Sequence, residues 1–137
     1  MSKPTLYIPD ADDEDPAEKV RHCIAVMDAF TERFNNRDHG GVEKLLHFPH
    51  IILLGEQLDL WETPGHVTAK LFDDLAAIGW THSVYLEKRP VLVSPRKVHF
   101  VVVYTRNRAD GSVITHHENL WILTKERGRW GIKQRSY

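Results

Sequence analysis

An α+β domain, with helices gathered on one face of an antiparallel sheet, is the fold class the sequence predicts. Three observations carry it. First, the C-terminal third reads as strands joined by tight turns. Val98 to Arg108 and Val113 to Thr124 are rich in β-branched and aromatic residues and flank Asp110-Gly111; Arg127-Gly128 makes the next turn, and Trp130 to Ser136 closes the meander. Second, Val20, Cys23, Ile24, Met27, Phe30 and Phe34 recur at spacings of three and four, one apolar helical stripe wide enough to cover a sheet. Third, the segments run helix, helix, strand pair, helix, then the long meander.

The elements follow in order. Residues 1–15 hold Pro4, Pro9 and the acids Asp10, Asp12, Asp13, Glu14 and Asp15, and read as a flexible acidic arm. Asp15 is placed as N-cap and Pro16 as first residue of a helix ending at about Asn36. Gly41 to His47 reads as a short second helix with Val42, Leu45 and Leu46 inward. Pro49 to Leu60 is a strand pair turning at Gly55-Glu56. Thr63-Pro64-Gly65 opens a third helix, with Val67, Leu71, Leu75 and Ile78 on one face, that Gly79 ends. Trp80 to Ser94 is a long strand in which Pro90 implies a bulge or a sheet edge. Residues 16–137 thus form one domain.

The register of the meander follows from its turns. With Asp110 and Gly111 as turn residues, Tyr104 opposes His117, Val102 opposes Asn119 and Phe100 opposes Trp121. With Arg127 and Gly128 as the second turn, Leu123 opposes Ile132, Trp121 opposes Gln134 and Asn119 opposes Ser136. Opposed residues share a face. Phe100, Val102, Tyr104, Arg106, His117, Asn119, Trp121, Leu123, Trp130, Ile132 and Gln134 then form the inner face. Val101, Val103, Leu120 and Ile122 lie on the outer face, ringed by His99, Glu118, Lys133 and Arg135, as an apolar patch with a charged rim suited to a homodimer interface.

Composition narrows the function classes. The 137 residues suit one domain with a real core, and 42% hydrophobic with 27% charged residues is ordinary for a globular protein. A net charge of −1 gives no footprint for nucleic acid, and no apolar run reaches a membrane span. The single cysteine, Cys23, precludes an internal disulfide and fits a reducing cytoplasm; it sits on the apolar stripe as a core residue.

The order of elements, with Gly128-Arg129-Trp130-Gly131-Ile132 leading to a terminal Arg135-Ser136, resembles the nuclear transport factor 2-like superfamily. That group includes SnoaL-like polyketide cyclases, ketosteroid isomerase, scytalone dehydratase and the association domain of a calmodulin-dependent kinase. The resemblance implies a cystatin-like cone, in which a curved sheet wraps the first helix and leaves a pocket at its open end. It also implies dimerisation through the outer face. It leaves function open, because the fold hosts many activities. The isomerase's base, a carboxylate early in the first strand, has no counterpart in Ile51-Ile52-Leu53-Leu54; Glu56 and Asp59 are the nearest acids, and Glu118 is placed outward.

The site expectation rests on the inner face. His117 and Tyr104 form a cross-strand pair with Arg106 and Asn119 diagonal to it and Trp121 beside it. A neutral imidazole takes a proton near pH 7 and a phenol donates to a developing oxyanion. The pair therefore suits proton transfer beside a carbonyl, or dehydration, without a cofactor. The competing reading is that Tyr104, His117 and Asn119 satisfy one another at the rim of the core. Trp61 is either a cap on the pocket mouth or a core aromatic. His47-Phe48-Pro49-His50 supplies two histidines but no third metal ligand, and His116-His117 point to opposite faces, so no metal is expected. Two function classes result: a domain binding a small, partly aromatic ligand in an internal pocket, or a cofactor-independent isomerase, cyclase or dehydratase.

Overall fold

A computed structural model describes residues 6–8, 11 and 14–137, so most of the arm expected over 1–15 lies outside the described residues. Glu14, within it, docks on the body: Trp130 Nε1 donates to its Oε1 at 3.0 Å, and His22 Nδ1 lies 2.9 Å from its Oε2. The elements are α1 (Pro16–Asn35), α2 (His39–Glu43), β1 (Leu46–Leu54), β2 (Gln57–Trp61), α3 (Ala69–Ala77), β3 (His82–Ser94), β4 (Lys97–Asn107), β5 (Val113–Glu126) and β6 (Arg129–Ser136).

The capping chemistry sets α1. Asp15 accepts from the Glu18 amide at 3.3 Å, and Pro16 needs no partner for a missing N–H. Cys23, Met27 and Phe30 are its buried stripe. Asp38 caps α2 through the Gly41 amide at 3.0 Å, so that helix begins and ends earlier than the sequence suggests. The third helix begins later than expected. Gly65 has φ +117, a value no helix uses, and the amides of Gly65 and His66 bond Glu43 Oε2 at 2.8 and 3.0 Å instead of turning into a helix.

The strands form a single sheet in the order β2-β1-β6-β5-β4-β3. The sheet is mixed, which corrects the wholly antiparallel expectation: β1 and β6 run parallel, and every other neighbouring pair is antiparallel. The chain makes the β1–β2 hairpin at one edge, crosses through α3 to β3 at the other, and meanders back until β6 meets β1. The sheet curves around α1, which packs against β3, β4 and β6. The core between them holds Met27, Phe30, Phe100, Trp121, Leu123 and Ile132. Pro90 lies on edge strand β3 beside a bulge, and a second bulge follows Tyr85.

The β4–β5 register is Tyr104 opposite His117, Val102 opposite Asn119 and Phe100 opposite Trp121. The turn itself differs from the expected two-residue loop. Asn107 pairs with Val113 while Arg106 pairs with Thr115, so a longer turn and a bulge at Ile114 offset each other. The β5–β6 turn has Arg127 at φ 53 and Gly128 at φ 75, both positive as a type I′ turn requires. Leu123 opposes Ile132, but the register then slips: Ile122 opposes Gln134, Trp121 opposes Arg135 and Leu120 opposes Ser136. Lys133 is the extra residue. Beyond it the faces exchange, so Arg135 turns inward and Gln134 outward, the reverse of the expectation.

Candidate functional site

A cavity of about 530 Å³ opens between the concave side of the sheet, α1 and α3. Apolar walls come from Phe30 and Phe34 of α1, Ile52 of β1, Leu71 and Leu75 of α3, and Trp121 of β5. Polar groups reach it from Asp59, Tyr85, Tyr104, Arg106, His117, Arg135 and Tyr137. A cavity of this size with mainly apolar walls and a few convergent polar groups suits a small organic molecule.

Tyr104, His117, Trp121, Arg106 and Trp61 all line this one space. Asn119 does not: it is buried on the inner side of β5 outside the cavity lining, and its amide nitrogen has no partner among the described residues. The rings of Tyr104 and His117 stack with centroids 4.8 Å apart at 21°. Stacked faces leave their polar atoms aimed elsewhere. His117 Nε2 lies 2.8 Å from Thr115 Oγ1. The three residues therefore do not satisfy one another.

Electrostatics define the protonation of the pair. Burial, then Arg106 and His116, push the His117 pKa down, so the ring is neutral at pH 7. Burial raises the Tyr104 phenol, and neighbouring Tyr137 adds to the effect, so it stays a protonated donor. Burial likewise raises Tyr85, whose hydroxyl donates to the Met27 carbonyl at 2.8 Å.

The residue that sequence reasoning misplaced is Arg135. It is 7% exposed, and its guanidinium lies over the rings of Phe30 and Trp61, 5.3 and 5.6 Å from their centroids. Its Nε donates to His50 Nε2 at 3.1 Å and its Nη1 to the Tyr137 hydroxyl at 3.2 Å. His50 can accept because its Nδ1 faces the Ile132 carbonyl at 3.0 Å, which places the ring proton there. Burial, then the charge of Arg135, push the His50 pKa down to about 3. His47 is also buried: its Nε2 sits 3.0 and 2.9 Å from the carbonyls of Thr124 and Arg129, and burial lowers its pKa. A register shift interrupts the β1–β6 pairing between Leu46 and Ile51, and both histidines of this stretch are fully buried. Among the described residues no three His, Cys, Asp or Glu side chains converge as metal ligands.

Trp61 stacks on His66, centroids 4.9 Å apart at 3°, so the loop before α3 and the end of β2 form one aromatic lip. Asp59, from β2, is the carboxylate on the wall, and it accepts from Gln57 at 2.8 Å. Pairing of Asp59 with inward Ile52 across β1–β2 is the signal that would have found it. Glu118 is exposed on the other face. Nothing in the sequence marks the bulge that turns Arg135 inward.

No family model matches the chain, and no curated protein matches it. Solved structures do. A ketosteroid isomerase-like protein from Erwinia carotovora atroseptica aligns with TM-score 0.64 at 18% identity, covering 87% of this chain and 94% of that one. Aln2 from a Streptomyces species aligns with TM-score 0.66 at 14% identity, over 87% and 89% of the two chains. An NTF-2 like protein of unknown function from Shewanella oneidensis gives 0.62 at 10% identity, over 86% and 97%. The curved mixed sheet around an N-terminal helix is the nuclear transport factor 2-like cone fold, and this chain has it. At these identities the likeness concerns the fold.

Proposed function

We propose that this protein binds a small, partly aromatic organic molecule in the cavity, as a homodimer joined through the outer sheet face in a reducing cytoplasm. The observation that carries the reading is the cavity: about 530 Å³, walled by aromatic rings from α1 and the sheet, with cationic and phenolic groups converging on it. Trp61 and Trp121 supply the ring-stacking walls, and Arg106 the polar edge. The lone buried Cys23, its thiol pushed up to about 12 by burial, fits the compartment. Among the described residues no helix is long and apolar enough to cross a membrane. Titration with naphthalene-sized aromatics, followed by calorimetry, tests the reading. Saturable binding in the micromolar range, weakened tenfold or more by Trp61→Ala, is the expected result. Absence of any binding at millimolar ligand would overturn it.

A second reading is favoured by the neutral His117 beside Tyr104. In a cofactor-independent isomerase, cyclase or dehydratase, His117 is the proton acceptor and Tyr104 donates to the oxyanion that develops on the substrate. His117→Ala then lowers turnover by roughly 10²–10⁴ with the fold intact. A variant that retains full turnover excludes this role.

A further inference from the structure

We propose that Arg135 is an anion anchor, and that the ligand of this cavity carries a carboxylate on its aromatic or alicyclic body. The inference rests on the cavity being a binding site and adds the chemical class of its occupant.

Arg135 is a buried cation held by neutral groups. Two aromatic rings flank its guanidinium, and a neutral imidazole and a phenol accept from it. Among the described residues no carboxylate forms an ion pair with it. The one carboxylate on the cavity wall, Asp59, faces Ile52, and Ile52 faces Arg135, so Asp59 stands two strands away and bonds Gln57. Burial of an uncompensated charge is costly, and a counter-ion recovers that cost. A guanidinium has five N–H donors. Nε and one hydrogen of Nη1 are used, leaving three on the terminal nitrogens, and Arg135 lines the cavity. A planar fork with free terminal donors matches a carboxylate in bidentate geometry.

The orientation is prepared before any ligand arrives. His50 is fixed by the Ile132 carbonyl and directs Nε away from the cavity. Tyr137 is tied through its amide to Leu53 O at 2.9 Å and holds Nη1. The fork is thus not free to swing, so little conformational entropy is lost on pairing. A second cation, Arg106, lines the same cavity with no ion pair among the described residues, which raises the positive potential of the space.

The test compares 2-naphthoate with 2-naphthamide, alike in shape and different in charge, by calorimetry on the full chain. The acid is expected to bind at least tenfold tighter than the amide. Arg135→Gln should bring the two affinities within about twofold, with an unchanged circular dichroism spectrum, while Arg106→Gln keeps at least a fivefold preference for the acid. Equal binding of acid and amide to the unaltered protein would overturn the anchor and leave the binding site standing. Failure of both compounds to bind would overturn both. Should Arg135→Gln not fold, Arg106→Gln decides: retention of the preference supports Arg135, and its loss moves the anchor to Arg106 and overturns the assignment.

Discussion

At the scale of the residue, the buried histidines give the protein a pH dependence with a definite sign. His50 titrates near its ordinary value, 6.5, in the unfolded chain and at about 3 in the folded one. Between those values the unfolded chain holds a proton that the native protein does not, so stability rises with pH across this window. The stabilisation is complete above about pH 6.5 and is lost as pH falls toward 3. Burial and the charges of Arg135 and Lys133 all oppose a second cation at His50, and the Ile132 carbonyl only partly offsets them. Urea unfolding at successive pH values should show a slope approaching about 1.4 kcal/mol per pH unit from this group in the middle of the window. His50→Gln should flatten it; an unchanged slope would remove His50 from the account. Gly131 makes a different prediction. A Cβ there would sit 2.8 Å from His47 Cδ2, and His47 is pinned by two carbonyls and by Arg129 Nη2 at 3.1 Å. Gly131→Ala should therefore destabilise by about 1–3 kcal/mol, read as a lowered urea midpoint. Phe30 is 6% exposed but borders the cavity, so Phe30→Ala should cost about 3 kcal/mol, the low end for a core phenylalanine, because one side of its ring already lacks partners. A cost below 1 kcal/mol, again from urea unfolding, would mean the ring is not packed against Trp121 as its 5.4 Å edge contact implies.

At the scale of the element, bulges decide what the sequence could and could not disclose. The Tyr104–His117 pairing was legible although the turn was longer than expected, because the bulge at Ile114 restores the parity that the turn alters. The β5–β6 pairing carries one uncompensated bulge, at Lys133, and everything beyond it exchanges faces. Arg135 was thus legible as a strand residue and illegible as an inward one. The same holds on β1, where His47 read as the end of the second helix and His50 as a strand residue beside a proline, yet both lie in β1 and are fully buried. The late start of α3 had its cause in a distant element. Glu43, on α2, gives one carboxylate oxygen to the amides of Gly65, His66 and Val67, the last at 3.5 Å. This loop also carries the His66 ring against Trp61, so Glu43 holds the lip of the cavity from behind. Glu43→Ala should cost about 1.5–3 kcal/mol through the lost charged hydrogen bonds. It should also raise hydrogen exchange at those three amides above that of β4. Unchanged exchange there would show that the loop is fixed by its ring stacking instead.

At the scale of the whole molecule, the curved sheet has two faces with different tasks. Its concave face closes on α1 and bounds the cavity, while its convex face has no helix of its own among the described residues. On that side Val101, Val103 and Ile122 are half-buried and Leu120 is 37% exposed, with Val84 at 39% on the neighbouring strand. Arg135 no longer belongs to its rim and Gln134 joins His99, Lys133 and Glu118 there, so the rim carries one charge fewer than the sequence register implied. A second copy of the same face would cover it, and an isologous contact of this kind buries about 1,200–2,000 Å² in a stable pair. Leu120→Lys separates association from folding. The side chain is partly exposed in one chain, so a lysine is tolerated there with its ammonium in water, but two such ammonium groups brought together across a dyad repel and must be desolvated. Light scattering on a sizing column at micromolar concentration should give twice the chain mass for the unaltered protein and the chain mass for Leu120→Lys. The variant's melting should remain cooperative. Its affinity for cavity ligands should stay within a few-fold, because neighbouring Trp121 faces the opposite side of the strand. A monomeric unaltered protein, or a Leu120→Lys variant that stays dimeric, would place the contact elsewhere or remove it.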